Sequence, residues 1–360
     1  MKAEREFFEA FARPEIRELK PYDASGLVEP RIRVSANENN YGCAPSVTKA
    51  MQEAVAHGNR YPESTAKELR QLLASRHGLR PEQLIISNGL DGFFTMLGRA
   101  FLSPGDEVIC SECTFGVYAD TALIAGARPV LVPLDANLSQ RPCDFAAAVT
   151  EKTKLLVFCN PNNPTGELAP REEILAMLRS VPKHLLVLLD EAYIDFTDEE
   201  PCFPLLDEFP NLLICRTFSK LFALAGLRVG WTAAAEELIE LLYRVREPYC
   251  VTQAAQAGAC AALGEENFAA QIKEENRRER ARLEEALAAC GVKSLPSAAN
   301  FIMLLPDKSQ LTALKKAFLE RKIAVRLIKF RGVEAIRLSV GMPNENQEVI
   351  EALKEASAIK

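Results

Sequence analysis

Four places along this 360-residue chain put reactive side chains directly after short apolar runs. Leu185 to Leu189 is followed by Asp190-Glu191-Ala192-Tyr193, so a carboxylate stands where a strand would end. Such an acid can bind a metal, cap a helix, join a surface ion pair or meet a cationic heterocycle. Leu155 to Cys159 leads into Asn160-Pro161-Asn162-Asn163-Pro164-Thr165-Gly166, where the prolines and the glycine fix a turn and leave asparagine amides facing the strand ends. Leu212 to Arg216 leads into Thr217-Phe218-Ser219-Lys220, with Arg228 further on. Two hydroxyls and a lysine there can bind phosphate, and a lysine held from water has a lowered pKa and can attack a carbonyl. Finally, Ile85-Ile86-Ser87-Asn88-Gly89-Leu90-Asp91-Gly92 runs into a helix. Backbone amides at a helix start, approached through glycine, form an anion site.

Each feature alone has a plain structural explanation as a cap, a tight turn or a surface lysine. Together they supply a phosphate cradle, a carbonyl-trapping lysine, a carboxylate and hydrogen bonders for a phenolic oxygen, and these describe a pocket for pyridoxal phosphate (PLP). Other chemistries lack their full pattern. The glycine turn has no Gly-Lys-Ser/Thr and is not a Walker loop, and no Gly-x-Gly-x-x-Gly dinucleotide fingerprint occurs. Ser46 to Lys49 and Ser64 to Lys67 match Ser-x-x-Lys without the companion elements, and no Gly-x-Ser-x-Gly elbow is present. Cys110 and Cys113 have a zinc-like gap but no second pair, and only three histidines exist, so no metal site is expected.

The elements that must position these residues alternate between strand and helix. Runs reading as strands are Leu84 to Ser87, Glu107 to Cys110, Pro129 to Val132, Leu155 to Cys159, Leu185 to Leu189, Leu212 to Cys215 and Val229 to Ala233. Amphipathic stretches such as Gly92 to Phe101, Val117 to Ile124 and Pro170 to Leu178 lie between them. This grammar predicts an α/β fold with a mainly parallel seven-stranded sheet covered by helices, whose ligands sit outside the carboxyl ends of the strands. After about residue 235 a long helical region, Glu236 to Ala289, is broken near Glu247 to Val251 and around Gly264. Strands near Phe301 to Leu305, Ile323 to Arg326 and Ala335 to Val340, with helices at Leu311 to Glu320 and Asn346 to Ala356, read as a smaller α+β domain. The expected partition is a segment 1–45 packing on the small domain or a partner chain, a large domain 46–255 and a small domain 256–360.

Composition is that of a globular protein, 48% hydrophobic and 26% charged, with net charge −6. That balance argues against nucleic acid, and the Arg277 to Arg282 cluster is interleaved with glutamates as on a solvated helix face. No apolar run is long enough to span a membrane. Mixed charges at the N-terminus do not read as a secretory signal, and ten scattered cysteines suit a reducing cytoplasm.

The set Asn160 to Gly166, Asp190 to Tyr193, and Ser219-Lys220 with Gly226-Leu-Arg-Val-Gly230 resembles the fold-type I PLP-dependent aminotransferases. Within them the chain most resembles the histidinol-phosphate aminotransferases, through Lys20-Pro21-Tyr22, Asn37-Glu38-Asn39, Arg60-Tyr61-Pro62-Glu63, Asp190 to Phe196, Arg326 and Arg337 to Gly341. The resemblance spans nearly the whole chain. It implies that Lys220 carries PLP as a Schiff base and then shuttles a proton, that Asp190 pairs with the pyridine nitrogen, and that Asn163 and Tyr193 hold the phenolic oxygen. It further implies Phe115 on the ring face, and Gly89, Leu90, Asp91, Thr217, Ser219 and Arg228 at the cofactor phosphate. Tyr61 would reach the phosphate of a neighbouring subunit, giving a homodimer with shared sites, and Tyr22, Asn39, Arg326 and Arg337 would hold the substrate.

The implied reaction is transamination of L-histidinol phosphate with 2-oxoglutarate in histidine biosynthesis. An aromatic amino-acid aminotransferase and a threonine-phosphate decarboxylase would share every cofactor residue, and a PLP-binding regulatory module without turnover would need a DNA-binding extension. The chain departs from the family at Asn40, where proline is usual, at Leu90, where serine or alanine is usual, and across 246–252. These positions bear on specificity more than on the cofactor.

Overall fold

The computed structural model describes residues 7–21 and 29–358. Its strands in chain order are β1 (Ile32–Arg33), β2 (Leu84–Ser87), β3 (Glu107–Ser111), β4 (Arg128–Val132), β5 (Thr153–Cys159), β6 (Leu186–Asp190), β7 (Leu212–Thr217), β8 (Gly230–Ala234), β9 (Phe301–Leu304), β10 (Ile323–Ala324), β11 (Arg326–Phe330) and β12 (Val333–Ser339). Strands β2 to β8 form one seven-stranded sheet in the order β2-β8-β7-β6-β5-β3-β4. Only β8 runs against its neighbours in that sheet, and the remaining pairings are parallel. The fold is the mainly parallel α/β sheet that the alternating pattern predicts.

Near-continuous apolar strands bury both faces of this sheet. Successive side chains point to opposite sides, so Ile86, Ile109, Leu156, Val187 and Ile214 enter one core while Ile85, Val108, Leu155, Leu188 and Leu213 enter the other. The first core is covered by helices Pro45–Val55, Lys67–His77, Arg171–Ser180 and Gln253–Leu263, through residues such as Val47, Leu69, Ile174 and Ala255. Helices Gly89–Phe101, Val117–Ile124 and Glu236–Val245 cover the second, through Phe93, Tyr118 and Ile239. Each fully buried Leu, Ile or Val contributes roughly 1.5–3 kcal/mol relative to exposure.

A separate core lies around the C-terminal strands. β9, β11 and β12 form an antiparallel sheet in the order β11-β12-β9, and β1 pairs in parallel with β10. Ile32 and Val34 therefore join Leu304, Leu314, Phe318, Ile336 and Leu353 in one cluster. Helix Lys308–Glu320 opens on a reciprocal cap: Gln310 N–H donates to Asp307 Oδ1 at 2.8 Å and Asp307 N–H donates to Gln310 Oε1 at 3.0 Å. The 24-residue helix Glu266–Ala289 bridges the two regions. Ile272 packs with Phe196 and Leu221 below the large sheet, and Leu283 and Leu287 belong to the C-terminal core.

The structure moves several boundaries. β6 includes Asp190 and β7 runs on to Thr217, because ladder pairing continues one or two residues past the apolar run. The expected strand Ile323 to Arg326 is divided between β10 and β11, which pair with different partners. The helix after β2 begins at Gly89, not Gly92. Residues Pro14–Glu18 form a short helix against Val117–Ile124. Among the described residues no helix is long and apolar enough to cross a membrane.

Candidate active site

The carboxyl ends of β5, β6 and β7 open into a cavity of about 490 Å³, closed on its far side by β11 and β12. Register brings the chemistry together: Cys159 on β5 is opposite Asp190 on β6, and Asp190 is opposite Cys215 on β7. Asp190 is buried, with 2% of its surface exposed. Its Oδ1 accepts the Ala192 N–H at 2.9 Å and its Oδ2 accepts the Tyr118 hydroxyl at 2.7 Å. Burial pushes the acid up to about 6, against the pull of these donors. Behind it the buried Arg216 guanidinium donates twice to Glu191 Oε2, at 2.7 and 2.9 Å, and once to Asp195, tying the ends of β6 and β7 together.

Lys220 follows β7 and donates from Nζ to the Ala36 carbonyl at 3.3 Å, above the Tyr193 ring. Burial, then the charges of Arg337 and Arg228, push its amine down to about 8. A larger neutral fraction near pH 7 makes it a nucleophile and proton carrier. The Tyr193 hydroxyl accepts Asn37 Nδ2 at 3.0 Å, and burial holds that phenol above its usual range. Asn163 accepts from Arg337 at 2.6 Å, and Arg337 also donates to the Ser35 carbonyl at 2.7 Å.

The anion cradle lies at the start of helix Gly89–Phe101. Arg228, in the left-handed region at φ 53°, donates to Asp91 Oδ2 at 2.9 Å and to Ser219 Oγ at 3.5 Å. Ser219 N–H donates to Thr217 Oγ at 3.0 Å. Gly89 itself has φ 65°, and the Arg228 guanidinium occupies the space that a Cβ there would need. Leu90, Asp91, Phe115, Asn163, Asp190, Tyr193, Thr217, Ser219, Lys220 and Arg228 thus surround one cavity, with Arg326 and Arg337 on its far wall. Phe115 stands edge-on to Tyr118 at 5.8 Å between centroids.

Two expected positions lie elsewhere. Tyr61 is 80% exposed, outside the cavity, and stacks on Tyr249 at 4.6 Å. Asn39 turns away, and its Nδ2 donates to the Leu221 carbonyl at 2.8 Å. Tyr22 lies outside the described residues. Conversely, Asn37 and Tyr118 line the cavity without having been expected there. Asn37 is an asparagine at φ 53°, a conformation this residue type tolerates. Tyr118 lies in the first turn of helix Val117–Ile124, and its N–H donates to the Phe115 carbonyl at 3.2 Å just before that helix.

The family described as Aminotransferase class I and II matches residues 29–353 of this chain. Histidinol-phosphate aminotransferase 2 of Pasteurella multocida (strain Pm70) is 35% identical over 353 residues, covering 94% of this chain and 96% of that protein. Histidinol-phosphate aminotransferase of Erythrobacter litoralis (strain HTCC2594) is 37% identical over 337 residues, covering 91% and 90%. The crystal structure of histidinol-phosphate aminotransferase from Sinorhizobium meliloti in complex with pyridoxal-5'-phosphate superposes with a TM-score of 0.90 at 27% identity, covering 96% and 97%. Aspartate aminotransferase from Thermus thermophilus with maleate shares the fold, with a TM-score of 0.80 at 24% identity.

Proposed function

This chain belongs to the class I and II aminotransferase family, and from that premise we propose that it is a PLP-dependent enzyme transferring the amino group of L-histidinol phosphate to 2-oxoglutarate in histidine biosynthesis. The cavity fits the cofactor. Its volume suits a small molecule, and the missing Cβ at Gly89 leaves the Arg228 guanidinium seated at a helix start, where a phosphate belongs. Lys220 is the residue to bond the cofactor, Asp190 the partner of its ring nitrogen, and Asn163 and Tyr193 the partners of its phenolic oxygen. Phe115 would cover one ring face. The phosphate would take the backbone N–H groups of Leu90 and Asp91, the hydroxyls of Thr217 and Ser219, and Arg228.

Bound PLP supplies a carbonyl for the incoming amine and an electron sink for the bond that breaks. The chain supplies the rest. Lys220, neutral in a larger fraction than an exposed lysine, takes the proton from the substrate carbon and returns it to the cofactor side. Asp190 keeps negative charge at the ring nitrogen, which is stabilisation of a developing charge by a fixed group.

The observation that carries the substrate class is the pairing of Arg326 with Arg337. They are cross-strand partners on β11 and β12, and both line the cavity opposite the strand ends. Two guanidinium groups on one wall make it electropositive, and arginine forks match phosphate geometry. Relatives named for histidinol phosphate at 35–37% identity support the same reading. The exposed Tyr61 and Tyr249 pair supports a homodimer in which a second copy covers this surface and lends Tyr61 to the site. Ten cysteines without a disulfide among them support a cytoplasmic setting.

The test uses the purified protein loaded with PLP and no keto acid. Addition of L-histidinol phosphate at low concentration should bleach the visible band of the bound cofactor. Bleaching by phenylalanine alone would move the substrate to aromatic amino acids, and absence of any visible band after loading would remove Lys220 from its role.

A further inference from the structure

Motif spacing leaves Tyr118 unmarked, yet its hydroxyl approaches the Asp190 carboxylate more closely than the Ala192 N–H does, at 2.7 Å against 2.9 Å. The tyrosine is 2% exposed. Its ring is held edge-on by Phe94 at 5.2 Å and by Phe115 at 5.8 Å, so the hydroxyl has one direction in which to point. A buried carboxylate left without donors is strongly destabilised or takes up a proton. Short O–H···O⁻ bonds are among the strong hydrogen bonds available to offset that cost.

The other groups around Asp190 do less. Cys159 from β5 and Cys215 from β7 are thiols that burial pushes up, so they stay protonated and donate weakly. Glu191, next along the chain, is committed to Arg216 and repels a second charge. Tyr193 is engaged with Asn37. Lys220 feels the Asp190 charge across the cavity, though Arg337 and Arg228 oppose it. Tyr118 is therefore the strong side-chain donor. Burial and the neighbouring Asp190 charge keep its phenol well above the usual range, so it remains a donor throughout the working pH.

We infer that Tyr118 is a positioning residue for the proposed reaction, holding Asp190 ionised and aimed at the cofactor's ring nitrogen while its ring backs Phe115. The inference rests on the role given to Asp190 above. It makes one short segment, Phe115 to Tyr118, responsible for both the face and the nitrogen end of the cofactor ring.

The test is Tyr118→Phe in the full chain, alone and combined with Asp190→Asn. The substitution deletes one oxygen and keeps the ring between Phe94 and Phe115, so the apo-protein should melt within a few degrees of wild type. Its dissociation constant for PLP, measured by titrating apo-protein and following absorbance, should rise about ten- to a hundredfold. The acid limb of its kcat/KM profile should move to higher pH, because a carboxylate that loses a donor protonates more readily. In the Asp190→Asn background the same substitution should change PLP affinity less than threefold. Equal losses in both backgrounds would make Tyr118 a packing residue only and overturn the inference. Wild-type affinity and pH profile in Tyr118→Phe, beside a crippled Asp190→Asn, would also overturn it while leaving the role of Asp190 intact. Normal behaviour of Asp190→Asn alone would remove the reading on which both rest.

Discussion

A Cβ built on Gly89 would lie 2.5 Å from an Nη of Arg228. No side chain fits between the helix start and the guanidinium, and φ 65° at Gly89 adds a backbone conformation that only glycine adopts without cost. Gly89→Ala should therefore displace Arg228 from the cradle. The expected outcome is PLP bound about tenfold or more weakly, with a loss of stability of about 1–2 kcal/mol from the left-handed backbone. Equilibrium titration of the apo-protein with PLP and with inorganic phosphate measures it. Unchanged affinity for PLP would place the phosphate elsewhere.

Lys220 should be replaceable for binding and not for turnover. Lys220→Ala should hold PLP reversibly, without the red-shifted band of a covalently attached cofactor, and lose roughly 10² to 10⁴ or more in kcat, the usual worth of a proton-transferring group. In the wild-type apo-protein, attachment should quicken as pH rises through about 8, where the amine sheds its proton. Stopped-flow absorbance across pH 6.5 to 9.5 reads that midpoint. A midpoint near that of a free lysine would contradict the effect of burial.

His77 predicts an acid sensitivity unrelated to catalysis. It stacks on Trp231 at 5.2 Å and tilts against Phe203 at 4.7 Å. Burial, then Arg216 and Arg76, push its imidazole down to about 3. An unfolded histidine takes a proton near pH 6.5 while the folded one does not. Stability present above that pH is thus lost progressively as pH falls toward 3. His77→Phe should flatten this loss, and urea midpoints at pH 7 and pH 4.5 for both proteins decide it. Equal drops would assign the acid lability to other groups.

The proposed shared sites give a complementation experiment. Chains carrying Tyr61→Ala or Lys220→Ala, each nearly inactive, should regain about a quarter of wild-type sites when unfolded and refolded together, since half the dimers are mixed and each has one intact site. Recovery at zero would mean that Tyr61 acts within its own subunit or not at all.

The cavity residues on β5, β6, β7 and the helix at Gly89 were legible because polar groups break off from uninterrupted apolar runs, and the parallel sheet then collects its strand ends. What escaped depends on distance or on local backbone. Asn37 and Ser339 are hydrogen-bonded across 302 positions, a pairing no local pattern announces. In Asn37-Glu38-Asn39 the left-handed turn at Asn37 decides which amide faces the cavity, and it is the first, not the third. Tyr118 sits in an apolar helix, where its hydroxyl reads as one more core aromatic. Tyr61, which the resemblance marks, is a surface residue on the single chain, and its proposed role depends on a second copy.

The helix Glu266–Ala289 works as a beam. Its 24 residues at about 1.5 Å each make a rod of about 36 Å, anchored at one end beside Leu221, next to Lys220, and at the other within the core that carries β12. A tilt of about 5° about the Leu221 end carries the C-terminal core at the other end about 3 Å, roughly the length of a hydrogen bond. The bond from Arg337 to Asn163 crosses this joint and is the first gauge of any such swing.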